Sequence, residues 1–126
     1  MGILNPLQRV RGLGSAKSGT EEWWHQRVTS VALVPLSLFV VVLMVSLIGA
    51  DHATVVSRVG HPLVATGLIL ALASVAWHMQ IGMRVIIEDY VHDHAWKVIA
   101  LIANAFFAVL IAVLGTFAVL NISFGT

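Results

Sequence analysis

The chain has 126 residues, 59% of them apolar and only 10% charged, with a formal net charge of +1 and mean hydropathy +0.94. A soluble domain carries roughly a quarter charged residues, so a water-soluble globular enzyme is excluded, and the near-zero charge gives no basis for a nucleic-acid partner. With no cysteine, disulfides and thiolate-bound iron–sulfur clusters within this chain are excluded too.

Residues 1–22 read as a polar tail containing Gly12, Gly14, Ser15, Ser18 and Gly19. No apolar core of a signal peptide precedes Val28, and the tail is too short and too little amphipathic for an organellar transit peptide. The expectation is a mature protein of a bacterial inner (cytoplasmic) membrane. Three apolar blocks follow, at about 28–50, 63–87 and 98–120. At 1.5 Å per residue each exceeds a hydrocarbon core of about 30 Å. The reading is an all-α membrane protein of three transmembrane helices, a single membrane-anchor domain over 1–126. Arg9, Arg11, Lys17 and Arg27 precede the first span, Arg84 and Lys97 bracket the second connection, and Arg58 alone lies in the first. Positive charge accumulates on the cytoplasmic side, which puts the N-terminus in the cytoplasm and the C-terminus in the periplasm. Trp23, Trp24, Tyr90 and Trp96 then fall together at the cytoplasmic boundary, where amphipathic aromatics sit at headgroup depth.

The first span opens on Arg27 and carries Pro35 about two turns in, where a bend is expected and the freed backbone needs a neighbour or a hydroxyl such as that of Ser37. Arg27 either snorkels to lipid phosphates or pairs with a buried anion such as a cofactor carboxylate.

The second span starts at Gly60-His61-Pro62, with proline in the first turn where its missing N–H is harmless. His78 lies well inside it, at a depth where an ionisable side chain costs a few kcal/mol and normally faces a cofactor, a cavity or a partner. Gly67, Ala71, Ser74, His78, Gly82, Val85 and Asp89 share one helical face. Small residues let a backbone or a flat ring approach, so the face offers room for a macrocycle bound axially through the imidazole. A plain hydrogen bond across a helix interface is the other reading. Asp89-Tyr90 ends the same face, ~16 Å from His78 along the axis. A phenol can donate to a carbonyl oxygen and a carboxylate can relay protons, which suits quinone reduction; ordinary loop acidity with an interfacial tyrosine is the alternative. Arg84 reads as a lipid contact.

The other histidines carry less. His92-x-His94 lacks the acid or cysteine that would complete a tetrahedral metal set, and His52 and His61 belong to the outer connection. His25 either helps hold an anionic group or marks headgroup depth. In the third span Asn104, Gly115 and Thr116 suit interhelical hydrogen bonding and close packing. One membrane histidine is too few for a haem with two protein ligands, so the second ligand would come from another chain.

The run from His78 to Val91, with His78, Gly82-Met83 and Asp89-Tyr90-Val91 in place, resembles the H-x(3)-G-M-x(5)-D-Y-V segment of the succinate dehydrogenase hydrophobic membrane-anchor family. Arg27-Val28-Thr29-Ser30 is similar to the R-x-T-[AS] start of that family's first helix. His25-x-Arg27 is also faintly similar to the H-R-x-[ST]-G motif of the companion anchor, the cytochrome b subunit of the same enzyme. No glycine follows Ser30, however, and the Asp-Tyr-Val ending favours the hydrophobic anchor over its companion. The resemblance implies a three-helix anchor that pairs with the companion anchor subunit, shares one haem b with it, and docks the flavoprotein and iron–sulfur subunits. It implies His78 as an axial ligand of the haem iron, Arg27 at a haem propionate, and Tyr90 with Asp89 at ubiquinone. Such a subunit does not oxidise succinate by itself. The alternatives are a quinol:fumarate reductase anchor and a cofactor-free structural subunit of a membrane assembly.

Overall fold

In the computed structural model, which describes residues 19–125, the chain is entirely helical apart from its turns. Four helices follow one another: α1 Gly19–Ser46, α2 His52–Val59, α3 Pro62–Tyr90 and α4 His94–Phe124. Arg9, Arg11, Lys17 and most of the polar tail lie outside the described residues. Helices α1, α3 and α4 have 28, 29 and 31 residues and are apolar enough to cross a membrane. The expected all-α, three-span architecture is what forms.

Helix α1 begins nine residues ahead of the apolar block, with Glu21 and Glu22 in its first turn. Carboxylates there face the positive end of the helix dipole. The helix runs on through Pro35 to Ser46. Beyond it the chain turns at Gly49, whose φ of 74° lies in the left-handed region that glycine enters without strain.

The short helix α2 occupies a stretch that reads in sequence as a plain connecting loop. Asp51 caps it, Oδ1 accepting from the Thr54 N–H at 3.3 Å. Side-chain and backbone hydrogen bonds to Thr54 hold the Asp51 carboxyl below its usual 3.8. At the other end Arg58 Nη1 donates to the Ser46 carbonyl at 2.6 Å. A cation thus satisfies one of the orphan carbonyls at the C-terminus of α1 and complements its dipole.

His61 caps α3, its Nδ1 accepting from the Leu63 N–H at 3.3 Å, with Pro62 in the first turn. Asp93 caps α4 in the same manner, through the Trp96 N–H at 3.0 Å. Gly125 ends α4 in the left-handed conformation, its N–H bonded to the Asn121 carbonyl.

The long helices form a row with α3 in the middle. Among the described residues no Cα of α1 comes within 8 Å of one in α4. On one side of α3 the Phe39 ring of α1 seats on Gly67. On the other, Leu72 seats on Gly115 of α4. Asn104 of α4 is buried and its Nδ2 donates to the Gln80 carbonyl at 2.8 Å, the interhelical bond its type suggests. Buried side chains are small or medium: Ala65, Ala71, Ala76, Ile81 and Ile87 on α3, and Ala108 and Val119 on α4. Helix α1 buries none.

Candidate functional site

Between the N-terminal half of α1 and the C-terminal half of α3 lies a cavity of about 540 Å³. Glu22, Gln26, Arg27 and Ser30 line it from α1, and His78 and Val85 from α3. Two residues singled out by sequence, Arg27 and His78, therefore share one site. Opposite Gly82 the nearest atom to an added Cβ would be Gln26 Nε2 at 4.0 Å. The small-residue face of α3 is thus used in two ways: Gly67 is filled by Phe39, whereas space remains beside Gly82, one turn from His78.

His78 is half-buried, and its Nδ1 lies 3.1 Å from Thr29 Oγ1 on α1. This contact is an interhelical hydrogen bond of the kind weighed for a lone membrane histidine, but it engages only one ring nitrogen. Among the described residues no protein group bonds to Nε2. The cavity, the free ring nitrogen, the cationic Arg27 and the space at Gly82 fit a planar anionic group held through the imidazole. Arg27 lies 5.3 Å over the Trp23 ring, which steadies the guanidinium by a cation–π contact while leaving its N–H groups for an anion.

Arg84 does not reach for lipid as expected. Its Nη1 pairs with Glu22 at 2.8 Å and its Nε with Glu88 at 2.9 Å. The first contact crosses from α3 to α1, and Lys97 Nζ of α4 donates to the Glu88 carbonyl at 3.0 Å. A polar tie thus joins all three long helices at the end where the cavity opens. Glu22 belongs to both the tie and the cavity wall.

Asp89 and Tyr90 form the last turn of α3 and are exposed, Tyr90 to 77%. They stand at the same end of the row as Trp23, Trp24 and Trp96, but outside the lining of the His78 cavity. His25 packs edge-on against Trp77, ring centroids 5.8 Å apart, and is likewise not among the lining residues. His94 opens α4, and His52 opens α2. A second groove, of about 680 Å³, lies at the opposite end of α1 and α3 and is lined chiefly by apolar residues. Thr29 is the site residue that the sequence does not single out. It stands there only as part of a motif, although a hydroxyl next to Arg27 on a membrane helix is itself a signal for a polar partner.

Three membrane-length helices around a polar cavity that holds an intramembrane histidine define a multi-pass membrane protein with a buried polar site. Residues 1–121 match the family described as succinate dehydrogenase/fumarate reductase transmembrane subunit, and the chain belongs to that family. It is similar to the succinate dehydrogenase hydrophobic membrane anchor subunit of Rickettsia bellii, 30% identical over 104 residues, 82% of this chain and 83% of the relative. The counterpart in Paracoccus denitrificans is 32% identical over 92 residues, 71% and 70% of the two chains. The succinate dehydrogenase membrane anchor subunit of Reclinomonas americana is 32% identical over 88 residues, 68% and 73%. No solved structure matches the chain. A membrane-anchor subunit of succinate dehydrogenase implies a complex, and with it partners.

Proposed function

We propose that this anchor carries half of a haem b site and part of a ubiquinone site in a succinate:ubiquinone oxidoreductase of a bacterial inner membrane. The whole chain acts as one anchor domain, its N-terminus cytoplasmic by the distribution of Lys and Arg. The observation that carries the reading is the shared cavity of Arg27 and His78, in a chain of the anchor family. His78 contributes one axial nitrogen, and the second comes from the companion anchor subunit, since no other histidine among the described residues lines the cavity. Arg27 meets a propionate, where an arginine fork on a carboxylate gives both charge pairing and orientation. When bound, the haem supplies one-electron redox capacity next to the quinone path. Succinate oxidation belongs to the flavoprotein and iron–sulfur subunits.

Tyr90 and Asp89 act at the aromatic-rich helix end. The Tyr90 hydroxyl donates to a quinone carbonyl, and Asp89 passes protons from water. Their exposure in the isolated chain fits a pocket whose remaining walls belong to partner subunits. Tyr90→Phe should impair quinone reduction by the complex and leave succinate oxidation by an artificial acceptor intact. Unchanged quinone reduction would remove Tyr90 from the site.

A further inference from the structure

Thr29 is the side chain through which α1 engages His78. Its Oγ1 lies 2.8 Å from the His25 carbonyl, 3.1 Å from the Gln26 carbonyl and 3.1 Å from His78 Nδ1. A hydroxyl has one proton and two lone pairs, whereas a carbonyl can only accept. Ser30 Oγ already donates to the Gln26 carbonyl at 2.7 Å. The Thr29 proton therefore goes to the shorter contact, the His25 carbonyl, in the i−4 back-bond that threonine makes inside helices. Oγ1 is then the acceptor of the remaining contact, and the imidazole must be its donor. A metal-ligating imidazole is neutral and has one N–H. With that proton on Nδ1, the lone pair lies on Nε2.

We infer that Thr29 is a positioning residue: it fixes the Nδ1–H tautomer of His78 and holds the ring so that Nε2 is presented to iron in the α1–α3 cavity. The inference rests on the haem reading above. It gives Thr29 the part that an outer-shell acceptor plays at metal-bound histidines, fixing tautomer and ring orientation and raising ligand basicity. The more basic ligand favours ferric over ferrous iron. Losing the hydroxyl should therefore raise the haem potential as well as loosen the haem.

The test compares wild type, Thr29→Val and Thr29→Ser in the intact complex in native-like membranes. Valine has nearly the same shape but no acceptor; serine keeps the acceptor. Thr29→Val should weaken haem retention by about 10- to 100-fold, the usual cost of losing an outer-shell partner. It should also shift the midpoint potential upward, and Thr29→Ser should restore both. Nitrogen-15 spectra of histidine-labelled complex, with the His78 signal assigned by its loss in His78→Gln, read the tautomer directly. An Nδ1–H ring in the wild type that becomes a tautomer mixture in Thr29→Val supports the inference. Unaltered potential and retention in Thr29→Val, equal losses in the serine variant, or an Nε2–H ring in the wild type would overturn it. A wild-type complex without haem would instead remove the haem reading, and the nitrogen spectra of that sample would still report on the Thr29 bond.

Discussion

Arg84 is shared between Glu22 at 2.8 Å and Glu88 at 2.9 Å, on a guanidinium whose side chain is 43% exposed. A helical wheel shows Glu88, four residues on, but not Glu22 on another helix, so the sequence alone assigns Arg84 to lipid. Because all three side chains stay partly solvated, Arg84→Gln should cost no more than about 1 kcal/mol. That corresponds to a thermal shift of at most a few degrees in the purified complex; complete loss of assembly would show that the tie does more than pair charges. Asp51 offers a pH test outside the membrane-spanning helices. Its carboxyl is held below 3.8 when folded, so its contribution is present in full above pH 3.8 and is lost as pH falls through the lower folded value. Amide exchange at Thr54, normalised to the unstructured rate, should stay slow at neutral pH and accelerate only in that acid window. Acceleration already near neutrality would contradict the cap.

The three long helices are legible in the sequence because lipid demands them. Every backbone group inside a bilayer has to be satisfied within a helix or a closed barrel, and uninterrupted apolar stretches declare where that happens. Helix α2 is not legible, because eight residues of mixed character give no comparable signal. Its cap at Asp51 and its Arg58–Ser46 bond become evident only in three dimensions. The glycines separate two kinds of packing. A Cβ at Gly67 would meet the far edge of the Phe39 ring at 2.9 Å, an atom that can swing away. A Cβ at Gly60 would meet the Val56 carbonyl at 2.8 Å and the Ile122 carbonyl at 3.2 Å, neither of which moves without its helix. Gly60→Ala should therefore destabilise the chain by about 1–3 kcal/mol, the range for overpacking, and loosen the Ser123–Gly60 bond. Gly67→Ala should cost less. Melting of the two variant complexes checks the order, and the reverse order would contradict the packing described.

At the scale of the whole molecule, the row of three helices is an incomplete assembly. Helix α1 buries no residue, and Val31, Val34 and Leu38 are each at least 65% exposed. Lipid can cover such a surface, so apolar exposure alone does not demand a protein. The polar cavity beside His78 is different, since a half-built polar site at membrane depth is costly unless filled or paired. The sequence announces Arg27 and His78 singly, through residue type and depth. It cannot announce that they line one cavity, or that Thr29 reaches His78, because both facts depend on how α1 docks on α3. Everything proposed for the site turns on His78 holding haem in the assembled complex. The most direct measurement is the reduced-minus-oxidised absorption spectrum of the complex isolated through this chain, wild type beside His78→Ala. A b-type haem signal in the wild type, absent from His78→Ala while the flavin and iron–sulfur subunits still co-purify, is the expected result. An undiminished haem signal in His78→Ala would contradict the account.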